Sequence, residues 1–280
     1  MPFTLAHPAA VLPLMRRPLV GLALVCGALA PDLPYYVRAT RLPVSAQSWY
    51  EPFTNATASH SVSGLLTVSL PLALVLYLLA LAATPPLVWL TRGRWGGGTL
   101  HPVGAGDDET AAATHRPGAR WVWVPVSLVL GAATHLLWDS FASSDGFLAQ
   151  QSAALNTTAL AGLTWIDLLQ HGSSVIGLAV IAVVLWRRRR VFVSDGAPPL
   201  RRTYWAVAGL LGVGVLAGAV SVAATFDPTI HRSTLALVES VLTRGLIGGG
   251  AAVGVIVVLA VAIWWVARLG RMRRPATSAL

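Results

Sequence analysis

VSGLLTVSLPLALVLYLLALAA, residues 62–83, is the stretch whose reading decides the fold: its 22 residues pass without a charged side chain. A helix rises 1.5 Å per residue, so this run reaches about 33 Å, enough to cross the hydrocarbon core of a bilayer. Further apolar runs follow over 121–138, 160–186, 203–225 and 245–267, and a shorter one precedes it over 18–30. Composition agrees. Of 280 residues, 55% are apolar and only 11% charged, with a mean hydropathy of +0.66. A soluble domain is about one quarter charged, so too few charges remain here to cover a water-facing surface. That excludes a soluble enzyme, a secreted disulfide scaffold and a disordered tail protein. The expected fold is all-α, a polytopic transmembrane helix bundle of about six spans whose partner is the lipid bilayer.

The net charge of +9 does not point to nucleic acid. All 20 basic residues are arginines, and they cluster at the ends of apolar runs, where membrane orientation requires them. Arg16 and Arg17 precede the first run, and Arg92, Arg94, Arg116 and Arg120 lie between the second and third. Arg187 to Arg190, with Arg201 and Arg202, lie between the fourth and fifth, and Arg268, Arg271, Arg273 and Arg274 follow the sixth. The intervening links hold only Arg38, Arg41, Arg232 and Arg244. By the positive-inside rule the first set is cytoplasmic, and the C-terminus with it. No cleavable leader is evident, so the N-terminus is expected to be retained. The link 92–120, with Asp107, Asp108 and Glu109, reads as a flexible loop whose His101 and His115 are solvated. The tail from Pro275 reads as disordered. Glycines of the last two runs (Gly209, Gly212, Gly214 and Gly218; Gly245, Gly248, Gly249, Gly250 and Gly254) read as close helix packing. The lone Cys26 excludes a disulfide framework.

Ionisable residues in or beside membrane spans are costly to leave unpaired and are functional candidates by default. Asp32 follows the first run and His60 immediately precedes the second. His135 and Asp139 close the third, Asp167 and His171 open the fourth, and Asp227 and His231 follow the fifth. All lie at the ends opposite the arginine-rich links, although the arginines alone set that topology. His135 and Asp139, in THLLWD, are four apart, so a helix carries them on one face about one turn apart. A His and a carboxylate so placed suit a divalent metal such as zinc. The competing reading is a buried His–carboxylate hydrogen bond that only joins helices. Likewise Asp32, between Pro31 and Pro34, also reads as a turn residue, and His60 with Ser59 and Ser61 as part of a helix cap. Asp167 and His171 read as a packing face with Gln170, Ser173 and Ser174, and Asp227 and His231 as loop residues. Trp49, Trp89, Trp95, Trp121, Trp123, Trp138, Trp264 and Trp265 read as interfacial anchors.

The N-terminal stretch admits two readings. Pro8 and Pro18 each suit a first helical turn, and Arg16–Arg17 separates two short apolar runs. In one reading a short helical hairpin turns at that arginine pair and returns His7 toward Asp32. In the other, His7 stays in the cytoplasm, away from the other candidates.

The strings MPFTLAHPAAVLPL, GALAPDLPYY, His60–Ser61, GAATHLLWDSF and LLQHGSSVIGL occur here in order. Together they closely resemble the uncharacterised bacterial membrane proteins grouped as domain of unknown function 4184, over about residues 1–186. On that resemblance, residues 1–186 form the family-like membrane core with an outer-face polar site, in a bacterial cell membrane. Residues 187–202 are then an Arg-rich cytoplasmic link, 203–267 two further transmembrane helices, and 268–280 a cytoplasmic tail. More distantly, the order His, Pro-Asp, His-Ser, His-x-x-x-Asp is similar to that of the YdjM-like membrane-bound metal-dependent hydrolases. Carried over by position, this implies His7, Asp32, His60, His135 and Asp139 as metal ligands. Pro34 stands where the distant family has a second Asp, and Ala56 and Thr57 fill the stretch that holds its His-Arg pair, which points away from a two-metal centre.

The chemistry so implied is one divalent ion, zinc or manganese, with Asp32 as catalytic proton acceptor. The substrate would be a lipid or lipid-linked ester or phosphoester reached from the extracytoplasmic side. The alternative is a non-enzymatic structural or envelope-assembly protein whose His/Asp cluster only links helices. A transporter ranks behind both, because transport predicts polar residues near mid-membrane.

Overall fold

The computed structural model describes residues 3–45, 47–92, 117–160, 163–192, 201–225, 227 and 234–272. His101, His115, Asp107, Asp108, Glu109, Trp95, residues 193–200 of the Arg-rich link, His231 and the tail beyond Met272 lie outside the described residues.

The chain opens with the short helical hairpin of the first of the two readings. Its first arm is a 3-10 turn (Thr4–Ala6), helix α1 (Pro8–Val11) and a second 3-10 turn (Leu12–Leu14). Residues 15–20, with the arginine pair, lead into α2 (Gly21–Leu29), a 3-10 turn over Ala30–Asp32, and α3 (Leu33–Ala39). Short pieces follow: a 3-10 turn (Glu51–Thr54), α4 (Ala56–Ser59) and α5 (Val62–Gly64). A π-helical turn over Leu65–Ser69 feeds α6 (Leu70–Arg92). Then come α7 (Pro117–Ala142) and α8 (Phe147–Gln151), the paired strands β1 (Thr158–Leu160) and β2 (Leu163–Thr164), and α9 (Trp165–Phe192). α10 (Arg201–Thr225) and α11 (Thr234–Met272) complete the chain. Among the described residues, five helical stretches are long and apolar enough to cross a membrane. Among the described residues the fold is all-α apart from one short strand pair.

Two helix starts differ most from the apolar runs. α9 starts at Trp165 rather than at 160, because Asp167 Oδ2 accepts from both the backbone N–H and the hydroxyl of Thr164. That cap stops the helix, and residues 158–160 pair with 163–164 as two short antiparallel strands instead. α11 starts at Thr234, well before 245, since TLALVESVLTR carries only Glu239 and Arg244 among apolar and small residues.

The described residues fall into two compact units, interleaved along the chain. The first takes 3–34, 44–78 and 117–192; the second takes 35–43, 79–92, 201–225 and 234–272. In the first, α2 lies against α7 at Gly27 and Gly131. A Cβ on Gly27 would collide with the Leu128 carbonyl oxygen, and one on Gly131 with that of Leu24. Only glycine lets the two backbones approach so closely. Val11, Leu24 and Ala28 form the buried core beside this contact. The hairpin's first arm is tied to α9 by Phe3 N–H donating to Ser174 Oγ and by Ala6 against Gly177. In the second unit, α10 and α11 pack through Gly218 against Gly245 and Gly249 against Gly214. There the Arg202 guanidinium lies over the Trp89 ring and donates to the Leu90 carbonyl.

The tryptophans do not all anchor an interface. Trp138 Nε1 donates to Ser173 Oγ, joining α7 to α9, and Trp264 is buried. Both fill packing positions, whereas Trp49 and Trp121 are largely exposed.

Candidate metal centre

α7 presents His135 and Asp139 on one face, as their spacing predicts, and both are buried. The glycine contact brings the C-terminal end of α2 to this face, and His135 Nδ1 donates to the Ala28 carbonyl at 2.7 Å. A carbonyl only accepts, so Nδ1 carries a proton and Nε2 faces inward, where it can take a further proton or a metal ion. The turn that ends α2 then carries Asp32, which is fully buried.

His60 arrives from a separate segment. Asn55 accepts from the Thr57 and Ala58 N–H groups and starts α4; Ser61 accepts from Gly64 N–H and caps α5. Between them, His60 Nδ1 donates to the Ala56 carbonyl at 2.8 Å, with Nε2 turned toward Asp32, His135 and Asp139. Ser59 fastens this segment to Asp32: its buried hydroxyl donates to the Pro31 carbonyl at 2.6 Å. Ser69, in the π-helical turn, donates in its turn to the Ser59 carbonyl at 2.8 Å. Insertions of this kind re-aim side chains at functional sites.

Four donor atoms meet. His60 Nε2 lies 3.3 Å from His135 Nε2 and 3.4 Å from both Asp32 Oδ1 and Asp139 Oδ2. His135 Nε2 lies 3.5 Å from Asp32 Oδ1 and 3.4 Å from Asp139 Oδ2. One ligand atom from each of the four residues lies within 4.8 Å of every other. Tetrahedral zinc with bonds of about 2.0–2.2 Å separates neighbouring ligand atoms by roughly 3.3–3.6 Å, so five of the six edges match. Both Asp32 oxygens are buried without a hydrogen-bond partner. The carboxylate faces the imidazoles of His60 and His135, at 3.4 and 3.5 Å, and a buried carboxylate so placed favours positive charge between them. The group can therefore hold a metal ion. Among the described residues the group reaches the surface mainly at its His60 edge, with that side chain 22% exposed against 9% for Asp139 and none for Asp32 or His135.

The electrostatics point the same way. Burial alone would raise the Asp32 carboxyl, but the imidazoles of His135 and His60 outweigh it and hold the group below the ordinary carboxylate range. Burial would likewise lower His60, yet the Asp139 and Asp32 carboxylates lift it to about 9.

His7 also reaches this place, but differently. Its Nε2 lies 3.0 Å from Asp139 Oδ1, the oxygen that does not face the two imidazoles, and its ring stacks on His135 at 3.8 Å. It is not one of the four residues whose donor atoms converge. Asp167 serves as the cap of α9, and neither it nor His171 joins the group. Sequence reasoning treated Ser59 only as a cap and passed over Ser69 and the Ala28 carbonyl. A serine buried in a strongly apolar stretch was the available signal for Ser69.

A family model, described as a domain of unknown function (DUF4184), matches residues 1–262. The match continues past residue 186, where the sequence strings stop, through α10 and into α11. No curated protein and no solved structure matches the chain.

Proposed function

This chain belongs to the DUF4184 family, and we propose that it is a membrane-bound metal-dependent hydrolase. Asp32 Oδ1, His60 Nε2, His135 Nε2 and Asp139 Oδ2 are the ligands of one divalent cation, zinc or manganese. The supporting observation is the convergence itself: two aimed imidazole lone pairs and two carboxylate oxygens at tetrahedral edge lengths, one carboxylate having no other partner. Two neutral imidazoles and two carboxylates leave a dication near zero net charge, which suits a buried site.

A dication there supplies Lewis acidity, polarising a carbonyl or phosphoryl oxygen and acidifying water. The chain's own groups do the rest. Asp32 binds through Oδ1 and keeps Oδ2 to accept a proton. His7 holds Asp139 in orientation through Oδ1, as an outer partner of a ligand carboxylate does. The half-open His60 edge admits the substrate, an ester or phosphoester. The order of the candidate residues, which resembles that of the YdjM-like hydrolases, supports hydrolysis as the reaction class. The asymmetry of the arginines supports an extracytoplasmic position for the centre, in a bacterial cell membrane, with the C-terminus in the cytoplasm.

The test is metal content and hydrolysis by the full chain in nanodiscs. We expect about one equivalent of zinc or manganese and turnover of an ester or phosphoester. Both should be lost in the His135→Ala, Asp139→Ala double variant while helicity is retained. Metal-free wild-type protein after incubation with either ion overturns the reading. A second reading is favoured by the fact that four protein donors fill a tetrahedral shell, as structural sites do. In that case chelation lowers the melting temperature and no ester is turned over.

A further inference from the structure

The segments that connect the spans on the centre's side carry apolar side chains where water-facing connectors carry polar ones. His60 precedes α6, Asp139 lies near the end of α7, and α9 follows the connector 143–164. If α6, α7 and α9 each cross the bilayer, the start of α6, the end of α7 and the start of α9 share one membrane face. On that face Trp49 is 82% exposed, Phe147 70%, Leu160 67% and Trp165 52%. Residues 42–59 contain one charged side chain, Glu51, and 143–164 contain one, Asp145. Neither segment has an arginine.

We propose that these two segments are seated in the boundary between headgroups and acyl chains, so that the centre takes a bilayer-resident amphiphilic ester rather than a water-dissolved one. The seating stands on exposure and connectivity; the substrate class rests on the hydrolase reading. Exposed Trp and Phe favour that boundary, where an apolar ring has lipid on one side and water on the other. At the adjoining helix ends Val62, Leu66 and Leu137 are exposed as well. Without arginine, the seating owes nothing to anionic lipid. It therefore holds equally on zwitterionic membranes.

The experiment places a nitroxide on Phe147→Cys and, separately, on Leu160→Cys, in the full chain reconstituted into phosphatidylcholine vesicles. Both positions are exposed, so the fold tolerates the label. The buried Cys26 stays unlabelled, as wild type verifies. The expected result is collision with oxygen exceeding collision with a water-soluble nickel chelate at both sites, unchanged when anionic lipid is added. Collision dominated by the nickel chelate, or seating that appears only with anionic lipid, overturns the proposal. Metal content of the same vesicles judges the centre independently. Lipid-seated labels without bound metal keep this surface and sink the hydrolase reading.

Discussion

The Nε2 atoms of His60 and His135 face each other at 3.3 Å, each on a ring whose Nδ1 is committed to a backbone carbonyl. Two imidazoles anchored in this way aim lone pairs at one another. Either a proton or a cation must lie between them, and the flanking carboxylates of Asp32 and Asp139 favour positive charge. A proton satisfies one contact; a metal satisfies all four donors together.

That competition makes metal binding pH-dependent. In the metal-free protein the carboxylates raise His60 to about 9, so at neutral pH its ring carries a proton that the metal must displace. The sign follows: each proton displaced lowers affinity up to about tenfold per pH unit below that value. Zinc titrations between about pH 6 and pH 8 should tighten as pH rises and release protons, measurable by calorimetry in buffers of different ionisation enthalpy. Affinity that stays constant over this range, with no proton release, would count against the ligand role of His60.

His7→Ala should weaken metal binding about 10- to 100-fold, the usual effect of losing an outer partner. Stoichiometry at saturating metal should stay near one, because His7 touches Asp139 Oδ1 rather than the converging atoms. Equilibrium dialysis reads both quantities. A variant that binds nothing at saturation would make His7 a ligand.

The α2–α7 contact should be as important to the centre as its ligands. Gly131→Ala drives a Cβ into the Leu24 carbonyl. Overpacking of this kind costs about 1–3 kcal/mol, and relief by separating the helices would draw the Ala28 carbonyl away from His135 Nδ1. The expected outcome is a lower melting temperature and weaker metal binding together. Gly172→Ala, in open space on α9, is the control and should change neither. Equal behaviour of the two variants would refute the coupling.

The part of the centre legible in the sequence is the part set by local geometry. His135 and Asp139 are one helical turn apart, and that spacing alone puts them together. The arginine pattern put Asp32 and His60 at the same end, and the arginine pair with two flanking prolines suggested the hairpin that carries His7. What joins these segments was not legible. Ser59 to Pro31 spans 28 residues and His135 to Ala28 spans 107, and no periodicity encodes contacts at such separations. The strand β2 was hidden inside the apolar run 160–186, since a run of apolar residues specifies burial without specifying where a helix begins.

Asp32→Asn separates the demands of the metal from those of the fold. In the wild-type chain without metal, the buried Asp32 carboxylate faces the imidazoles of His60 and His135 at 3.4 and 3.5 Å. Those imidazoles hold it below the ordinary carboxylate range, so its charge adds stability at neutral pH that is lost as pH falls through its depressed value. Asparagine keeps the shape and loses the charge, so the metal-free variant should melt below the metal-free wild type. With metal the gap should widen, because the variant has also lost one anionic ligand and its proton acceptor. Hydrolysis should fall through kcat even where metal is saturating. Thermal scans of both proteins, with and without chelator, give the four values needed. A gap of the same size with and without metal would show that Asp32 serves the fold alone, and the case for a cation at this site would fail with it.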